Sequence, residues 1–334
     1  MTGPHPAVSA SRNAVREALD GIEIGTRVWV ACSGGPDSLA LAAATVFVSR
    51  KEGYLPGAII VDHGLQAGSE AVAQHAVSQV RKAGMNSVFV ERVTVGREGG
   101  LEAAARAARY AALDARVDAE GGFAPIILTG HTMDDQAETV LLALARGSGA
   151  RALSGIPARR GRIVRPFLSL RRQDTVTACE ALGLEPWMDP TNEVDGGPKR
   201  SELRGKVMPA LAEVLGPGVV SGLARSAALL QADADELDRQ ARLAVRDTAS
   251  AGRREGWRCD MLAAMPDAIR SRMLKMLAEA EGAGPLTATH VAALDQLVTV
   301  FKGQGAVSLP GGYEARREYG RLMITPPQRA GSTE

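Results

Sequence analysis

Cysteine is scarce. The 334 residues hold three, Cys32, Cys179 and Cys259, far apart and with no CxxC pair. That argues against a zinc ribbon, an iron–sulfur cluster and a disulfide framework, and it suits a reducing compartment. Aromatic residues make up only 4% of the chain, which speaks against broad base stacking as a way of holding single-stranded nucleic acid. Nowhere is there a run of about 18 uninterrupted apolar residues, and the start has neither the basic nor the apolar segment of a signal peptide. The expectation is a soluble cytoplasmic protein with no membrane attachment. Net charge is nearly absent as well, at +1, so any polyanion site must come from local clustering. No internal repeat is visible. Thr2 to Ser9 and Pro326 to Glu334 read as loose tails.

What is present centres on residues 27 to 50. An apolar strand-like run, Val28 to Ala31, breaks into Ser33-Gly34-Gly35-Pro36-Asp37-Ser38, and a helix follows from about Asp37 to Arg50. Gly34 and Gly35 have no Cβ, so they can take positive φ and let a ligand lie against the main chain. The first helical turn leaves amide N–H groups unpaired in a field that favours negative charge, which makes a phosphate seat. It is not a Walker A loop, since no lysine lies nearby. Asp37 beside a phosphate seat makes sense if a divalent cation shares the site.

An opening helix is expected over about Ser11 to Leu19. After the loop and its helix come a second apolar strand at Ala58 to Val61, a helix over Ser69 to Ala83, a strand at Ser87 to Val93 and a helix over Leu101 to Ala119. A fourth strand, Ile126 to Thr129, delivers Gly130-His131-Thr132-Met133-Asp134-Asp135-Gln136-Ala137-Glu138-Thr139. Strands alternating with helices specify a parallel sheet covered on both faces, with ligands at the carboxyl ends of the strands. Asp62 and His63 end the second strand and so reach the same crevice, although a turn or cap would also use them. His131, Asp135 and Glu138 can line one side of a helix start, where an ordinary acidic first turn would also place the carboxylates.

From Thr139 to Gln173 there is no Asp or Glu, yet eight arginines fall there: Arg146, Arg151, Arg159, Arg160, Arg162, Arg165, Arg171 and Arg172. A solvated face normally mixes signs, so this window reads as a polyanion surface. Lys199, Arg200, Arg204 and Lys206 add to it. A Pro/Gly-punctuated junction at Pro209 to Gly218 leads into a long helical run, Val220 to Asp247, with Leu223, Leu229, Leu230, Leu237 and Leu243 as candidate buried positions. Shorter helices and a terminal β element around Pro310-Gly311-Gly312 complete the pattern, with Arg316, Arg317 and Arg321 in its last segment.

The loop resembles the Ser-Gly-Gly-x-Asp-Ser signature of the PP-loop ATP pyrophosphatases, which split ATP between the α and β phosphates and pass AMP to a carbonyl oxygen. Asp62-His63-Gly64-Leu65, the Arg106 to Tyr110 run, Gly130 to Thr139, Leu144 to Gly147, Arg165-Pro166-Phe167-Leu168, Asp189-Pro190-Thr191-Asn192 and the segment Arg200 to Leu211 further resemble the tRNA(Ile)-lysidine synthases. The sequence departs from that pattern at Gln66, Thr132 and Ser201, where the family usually has Arg, His and Asn.

The resemblance implies ATP and Mg2+ as cofactors, and tRNA(Ile) with a CAU anticodon and L-lysine as substrates, with a homodimer as a possible assembly. ATP would meet Ser33, Gly34, Gly35, Pro36, Asp37, Ser38, Asp62, His63, Arg109 and Gly130. Asp37, His131, Asp135 and Glu138 would act in catalysis, Asp37 and Asp135 would meet the metal, and the sequence does not divide Asp135 and Glu138 between metal and lysine ammonium. Arg146, Arg151, Arg165, Arg171, Arg200 and Arg204 would meet the tRNA. The expected architecture is a doubly wound α/β catalytic domain over 1–215, a mainly helical tRNA-binding domain over 216–325 ending in a small β element, and a tail over 326–334. The alternatives are a tRNA thiolation enzyme, which the missing CxxC disfavours, an amidotransferase synthetase, for which no glutaminase segment precedes the loop, and a catalytically silent RNA-binding relative, which would not need Asp37, Asp135 and Glu138.

Overall fold

Strand β1 (Arg27–Cys32) lies at the heart of a sheet because both of its faces are apolar and both are covered. Val28, Val30 and Cys32 point into one core, while Trp29 and Ala31 point into another. That is the period-two alternation of a strand buried between helical layers. The structure, a computed structural model, describes residues 3–64, 68–96, 100–188, 199–249 and 255–327.

The first part of the chain runs α1 (Pro6–Ala18), β1, α2 (Pro36–Glu52), β2 (Leu55–Asp62), α3 (Ser69–Lys82), β3 (Ser87–Arg92), α4 (Leu101–Glu120) and β4 (Ile126–Thr129). It continues with α5 (Met133–Ala145), α6 (Ala150–Leu153), β5 (Arg159–Arg160), β6 (Ile163–Val164), α7 (Arg172–Ala181), α8 (Lys199–Glu202), a wider π-type turn over Leu203–Val207 and α9 (Met208–Leu215). The sheet order is β3-β2-β1-β4-β6-β5. All pairings are parallel except the edge pair β5 and β6. The chain builds outward from β1 through β2 to β3 and then returns to the other side of β1 with β4. The crevice beyond the carboxyl ends of β1 and β4 is therefore the switch point where an open α/β sheet binds its ligand. Helices α1, α2 and α7 pack together on one face, and Leu113 and Val117 of α4 cover Trp29 on the other.

Two compact units divide the chain, 1–231 and 232–334, and the division falls inside helix α10 (Val219–Ala249). The second unit adds β7 (Trp257–Arg258), α11 (Cys259–Ala263), α12 (Asp267–Ala280), α13 (Ala288–Thr299), β8 (Val307–Leu309), β9 (Tyr313–Glu318) and β10 (Arg321–Thr325). Its antiparallel sheet, ordered β7-β10-β9-β8, shares one core with Leu262, Met273, Leu277 and Leu294. Arg270 is buried beside that core and is held by Asp295 at 2.6 Å and Asp267 at 2.8 Å.

Some sequence expectations need correction. Pro209 does not mark a junction: it lies within a continuous helical run, Lys199–Leu215, directly after the wider turn over Leu203–Val207, the kind of local irregularity that accommodates a proline inside a helix. Leu229 and Leu243 face solvent at 65% and 45% exposure. The buried positions along α10 include Ala227, Ala234 and Ala241, a seven-residue repeat of small side chains that a search for leucines passes over. Strands β5, β6 and β7 were not expected, since two residues carry no periodicity. The segments Asp189 to Asn192 and Gln66 lie outside the described residues.

Gly57 in β2 faces Trp29 so closely that a Cβ there would lie 2.2 Å from a ring carbon, and the ring, 1% exposed, has nowhere to go. Gly57→Ala is expected to cost about 1–3 kcal/mol of unfolding free energy. Denaturant unfolding checks this, and an unchanged midpoint would contradict the packing described.

Candidate active site

The loop after β1 turns at Gly34, whose φ of +83° favours glycine and whose absent Cβ would otherwise press on Ala76 at 3.1 Å. Helix α2 then opens at Pro36, so the amides of Asp37 and Ser38 have no carbonyl behind them in the helix. Ser38 ties the loop to itself: its hydroxyl accepts from the Ser33 amide at 3.2 Å and donates to the Gly35 carbonyl at 3.0 Å. The Trp187 amide donates to the Gly34 carbonyl at 2.9 Å and fixes the bend from outside. Gly130, just past β4, packs so closely that a Cβ would come within 3.0 Å of the Asp37 backbone. The two strand ends are thus held together by contact between backbones.

Helix α5 carries the acids. Thr132 precedes it, fully buried, and its amide and hydroxyl both donate to Asp135, at 2.8 and 3.0 Å. Thr132, one of the positions at which the sequence departs from the pattern it resembles, is therefore a helix cap that orients Asp135. Asp135 then faces Asp37 across the crevice, with Glu138 one turn further on and 1% exposed. Three carboxylates so close would repel one another, and two arginines from distant elements intervene. Arg172, the first residue of α7, reaches Asp37 at 3.3 Å, Asp135 at 2.9 Å and Glu138 at 3.6 Å. Arg204 reaches Glu138 at 2.8 Å and Asp135 at 3.6 Å. Burial raises the pKa of Asp37, and Asp135 adds to that, against the lowering effect of Arg172 and of the Thr175 hydroxyl that donates to it. Burial pulls Asp135 the same way, but Arg172, the Thr132 amide, His131 and Arg204 outweigh it, so Asp135 titrates below the usual range.

The opposite wall is cationic. Arg106 and Arg109 flank the Tyr110 ring at 5.1 and 5.4 Å, and no carboxylate among the described residues pairs with them or with Arg165. Burial alone would raise the Tyr110 phenol, and these three guanidiniums bring it below its ordinary value. His131 stands between the two walls with Nδ1 3.0 Å from the Thr129 hydroxyl. Burial first, then Arg165, Arg109 and Arg106, lower its pKa to about 4 against the pull of Asp135. His63 is lowered too, by burial and Arg109, and its buried Nδ1 has no hydrogen-bond partner among the described residues. Asp62 is lowered chiefly by the Gly64 amide, which donates to it at 2.9 Å.

Many of these groups, though not Arg106 or Arg165, line one cavity of about 630 Å³. Ser33, Gly35, Asp37, Ser38, Asp62, His63, Arg109, Gly130, His131 and Asp135 all face it, as do Arg172 and Arg204. Glu138 borders it through both arginines, and Gly34 and Pro36 shape its loop. Among the described residues no group of three or more His, Cys, Asp or Glu side chains is disposed to hold a metal alone. A magnesium ion needs only one or two carboxylates when phosphates and water complete its shell, and the oxygen donors Asp37 and Asp135 fit that chemistry.

The arginine window is not one solvent-facing strip. Arg165 is 5% exposed and donates to the Pro157 carbonyl at 2.7 Å. Arg171 pairs with Asp134 at 3.0 Å, Arg162 pairs with Asp118 at 2.7 Å, and Arg172 and Arg204 belong to the acids of the cavity. Arg200 donates to Thr139 at 3.0 Å. Arg146, Arg151, Arg159 and Arg160 remain at the surface. The site residue that sequence reasoning passed over is Arg172. Its position directly after Arg171 in an acid-free window is a signal only if the acids it meets are sought elsewhere in the chain. The thiolation alternative finds no reactive thiol here: all three cysteines are buried, and Cys179 is pushed up to about 12 by burial and Asp37.

A family model described as PP-loop domain matches residues 9–211, and one described as TilS substrate binding domain matches residues 258–323. The chain is similar to the tRNA(Ile)-lysidine synthase of Thermobifida fusca, 49% identical over 330 residues that cover 97% of this chain and 99% of that one. It is likewise similar to the enzymes of that name from Streptomyces coelicolor, 46% identical with 96% and 99% covered, and Salinispora tropica, 49% identical with 98% and 99% covered. Among solved structures, the U34-tRNA thiolase NcsA from Methanococcus maripaludis superposes with a TM-score of 0.53 at 17% identity, over 67% of this chain and 80% of that one. At that identity the likeness is one of fold.

With its pKa lowered from 6.5 to about 4, His131 is neutral at pH 7. The folded value lies below the unfolded one, so the stability held by the neutral ring is present above pH 6.5 and is lost as pH falls through about 4. Proton NMR of the ring should show no titration between about pH 5.5 and 8. A midpoint near the ordinary histidine value would contradict the environment described.

Proposed function

The chain belongs to the tRNA(Ile)-lysidine synthase family of PP-loop enzymes, and on that premise we propose that it is a ligase acting on the wobble cytidine of the CAU anticodon of tRNA(Ile). ATP adenylates the carbonyl oxygen at carbon 2 of that base, pyrophosphate leaves, and L-lysine then attacks the carbon and displaces AMP. The observation that carries this reading is the meeting, in one cavity, of an amide-lined loop at a helix N-terminus with the three carboxylates Asp37, Asp135 and Glu138.

A pyrimidine carbonyl is a poor electrophile. Making its oxygen a phosphate ester supplies a leaving group. In the first step the bond between the α phosphorus and its bridging oxygen to the β phosphate breaks as the carbonyl oxygen bonds to phosphorus. The free amides of Asp37 and Ser38, with the backbone of Gly34 and Gly35, are donors aimed where pyrophosphate charge develops. Asp37 and Asp135 would hold magnesium, which supplies positive charge against the leaving pyrophosphate. Arg109 and His63 reach the nucleotide from the cationic wall. Asp135 and Glu138 receive the lysine ammonium. His131, neutral, meets the activated base as a hydrogen-bonding group without adding charge to a wall already rich in guanidinium. Entry of one base into so small a cavity fits extrusion of the wobble nucleotide from its loop.

For tRNA, the surface arginines Arg146 and Arg151, joined by Arg159 and Arg160 on the edge strand β5, suit backbone phosphates. Arg200 sits nearer the cavity, and Arg165, Arg171 and Arg204 serve this function by shaping it. The reading includes action in the cytoplasm and a homodimer, whose interface would cover the apolar residues that α9 leaves exposed, Val214 at 80% and Leu215 at 66%. No single helix among the described residues is long and apolar enough to cross a membrane.

Purified protein given ATP, magnesium, lysine and a tRNA(Ile) transcript bearing CAU should release AMP in a lysine-dependent way. Asp37→Asn should lower kcat/KM by about 100-fold or more, and Asp135→Asn should act mainly through the KM for lysine. Turnover that ignores lysine, or that survives both substitutions, would sink the reading. Arg159→Ala with Arg160→Ala should reduce the salt dependence of tRNA binding by about two phosphate contacts and leave lysine binding alone; an unchanged slope would remove this face from the RNA interface.

A further inference from the structure

Each nitrogen of the Arg172 guanidinium meets a different carboxylate: Nε lies 3.3 Å from Asp37, Nη2 2.9 Å from Asp135 and Nη1 3.6 Å from Glu138. Asp37 belongs to the start of α2, and the other two belong to α5, so Arg172 spans two groups of acids with separate ligands. Its side chain keeps 22% of its surface and lines the cavity. Arg204 reaches only the α5 pair. Counting formal charges, Asp135 and Glu138 with Arg204 carry one net negative charge, which a single ammonium would balance. Arg172 meets that charge in part, since it is shared with Asp37, and the three carboxylates with two guanidiniums keep one negative charge among them.

We propose that Arg172 is an exchangeable counter-ion that couples the nucleotide subsite to the lysine subsite. It occupies the lysine ammonium's place on Asp135 in the substrate-free protein and moves to the nucleotide's phosphates when ATP enters. This rests on the reading of Asp135 and Glu138 as the lysine seat. A guanidinium whose nitrogens are split among three carboxylates makes no bidentate pair, and a triphosphate arriving beside Asp37 offers one. Movement toward the phosphates takes the guanidinium from both Asp135 and Glu138, and Glu138, which is not a metal carboxylate, is left with Arg204 alone. Lysine then binds there more tightly than before, and by reciprocity lysine tightens nucleotide binding by the same factor. Arg172 is in this sense a positioning residue: it orders the substrates so that the amine is drawn in after the nucleotide.

The test is equilibrium dialysis of labelled lysine against the full chain, with and without saturating α,β-methylene-ATP and magnesium. For the wild type, nucleotide should tighten lysine binding about tenfold. Arg172→Gln should bind lysine without nucleotide as tightly as the wild type does with it, and added nucleotide should then change little. Arg172→Lys, which keeps the charge but cannot span three carboxylates, should show a smaller coupling than the wild type, and it carries the test if the glutamine variant fails to fold. A purely structural arginine would weaken lysine binding in both states and leave their ratio intact. An Arg172→Gln or Arg172→Lys protein with undiminished coupling, or an Arg172→Gln protein that binds lysine more weakly than the wild type without nucleotide, overturns the inference. Asp135→Asn separates the two levels: retained lysine binding there removes the lysine seat and the inference with it, whereas lost binding alongside undiminished coupling in the Arg172 variants removes the inference alone.

Discussion

Three carboxylates share one partly buried crevice, and the charge they carry has to be met before the fold is stable. A carboxylate removed from water must either be paired or take up a proton. Here it is paired. Helix α7 exists at the place it does with Arg172 as its first residue, and the wide turn after α8 carries Arg204, so Arg172 reaches acids on α2 and α5 and Arg204 reaches those on α5. Asp134, the neighbour that points away from the cavity, is satisfied in the same manner by Arg171 and by the Arg172 amide, which donates to it at 2.8 Å. The segment from Arg171 onward is thus pinned to α5 by charge as well as by apolar packing.

The same economy gives the crevice two different walls. On the α5 side acids and arginines interleave, which suits cations and groups that exchange with them. On the α4 side Arg106, Arg109 and Arg165 gather around Tyr110 with no carboxylate partner among the described residues, and Arg109 and Tyr110 line the cavity there, which suits phosphate. A charged imidazole between them would be repelled by one wall, and burial removes its proton. On the proposed reading, the anion and amine subsites are separated by only the width of one cavity. That is the arrangement a two-step reaction needs when a phosphate ester forms first and an amine displaces it.

Much of this was legible in the sequence where the signal is local. Four apolar strands, the Gly34-Gly35 bend and the acidic start of α5 each announce themselves within a dozen residues, and the strand-end rule brings Asp62, His63 and His131 to the loop. What stayed hidden is pairing across distance. Arg162, Arg171 and Arg172 look like the other arginines of the window in sequence because the acids they meet, Asp37, Asp118, Asp134, Asp135 and Glu138, lie outside it. Thr132 read as a lost imidazole, yet its hydroxyl and amide orient Asp135. Along α10 the alanines are buried while Leu229 and Leu243 face solvent, and a hydrophobicity pattern undervalues such small buried side chains.

The central claim is that this cavity cuts ATP next to the α phosphate and transfers AMP to an RNA base. The most direct measurement omits lysine: the protein is given magnesium, tRNA(Ile) transcript with CAU, and ATP labelled at the α phosphate, and the RNA is recovered under denaturing conditions. The account expects label covalently held on the transcript, with pyrophosphate released in equal amount, and discharge of that label as AMP when lysine is added. Label appearing as ADP, or as AMP with the transcript left out, would contradict it.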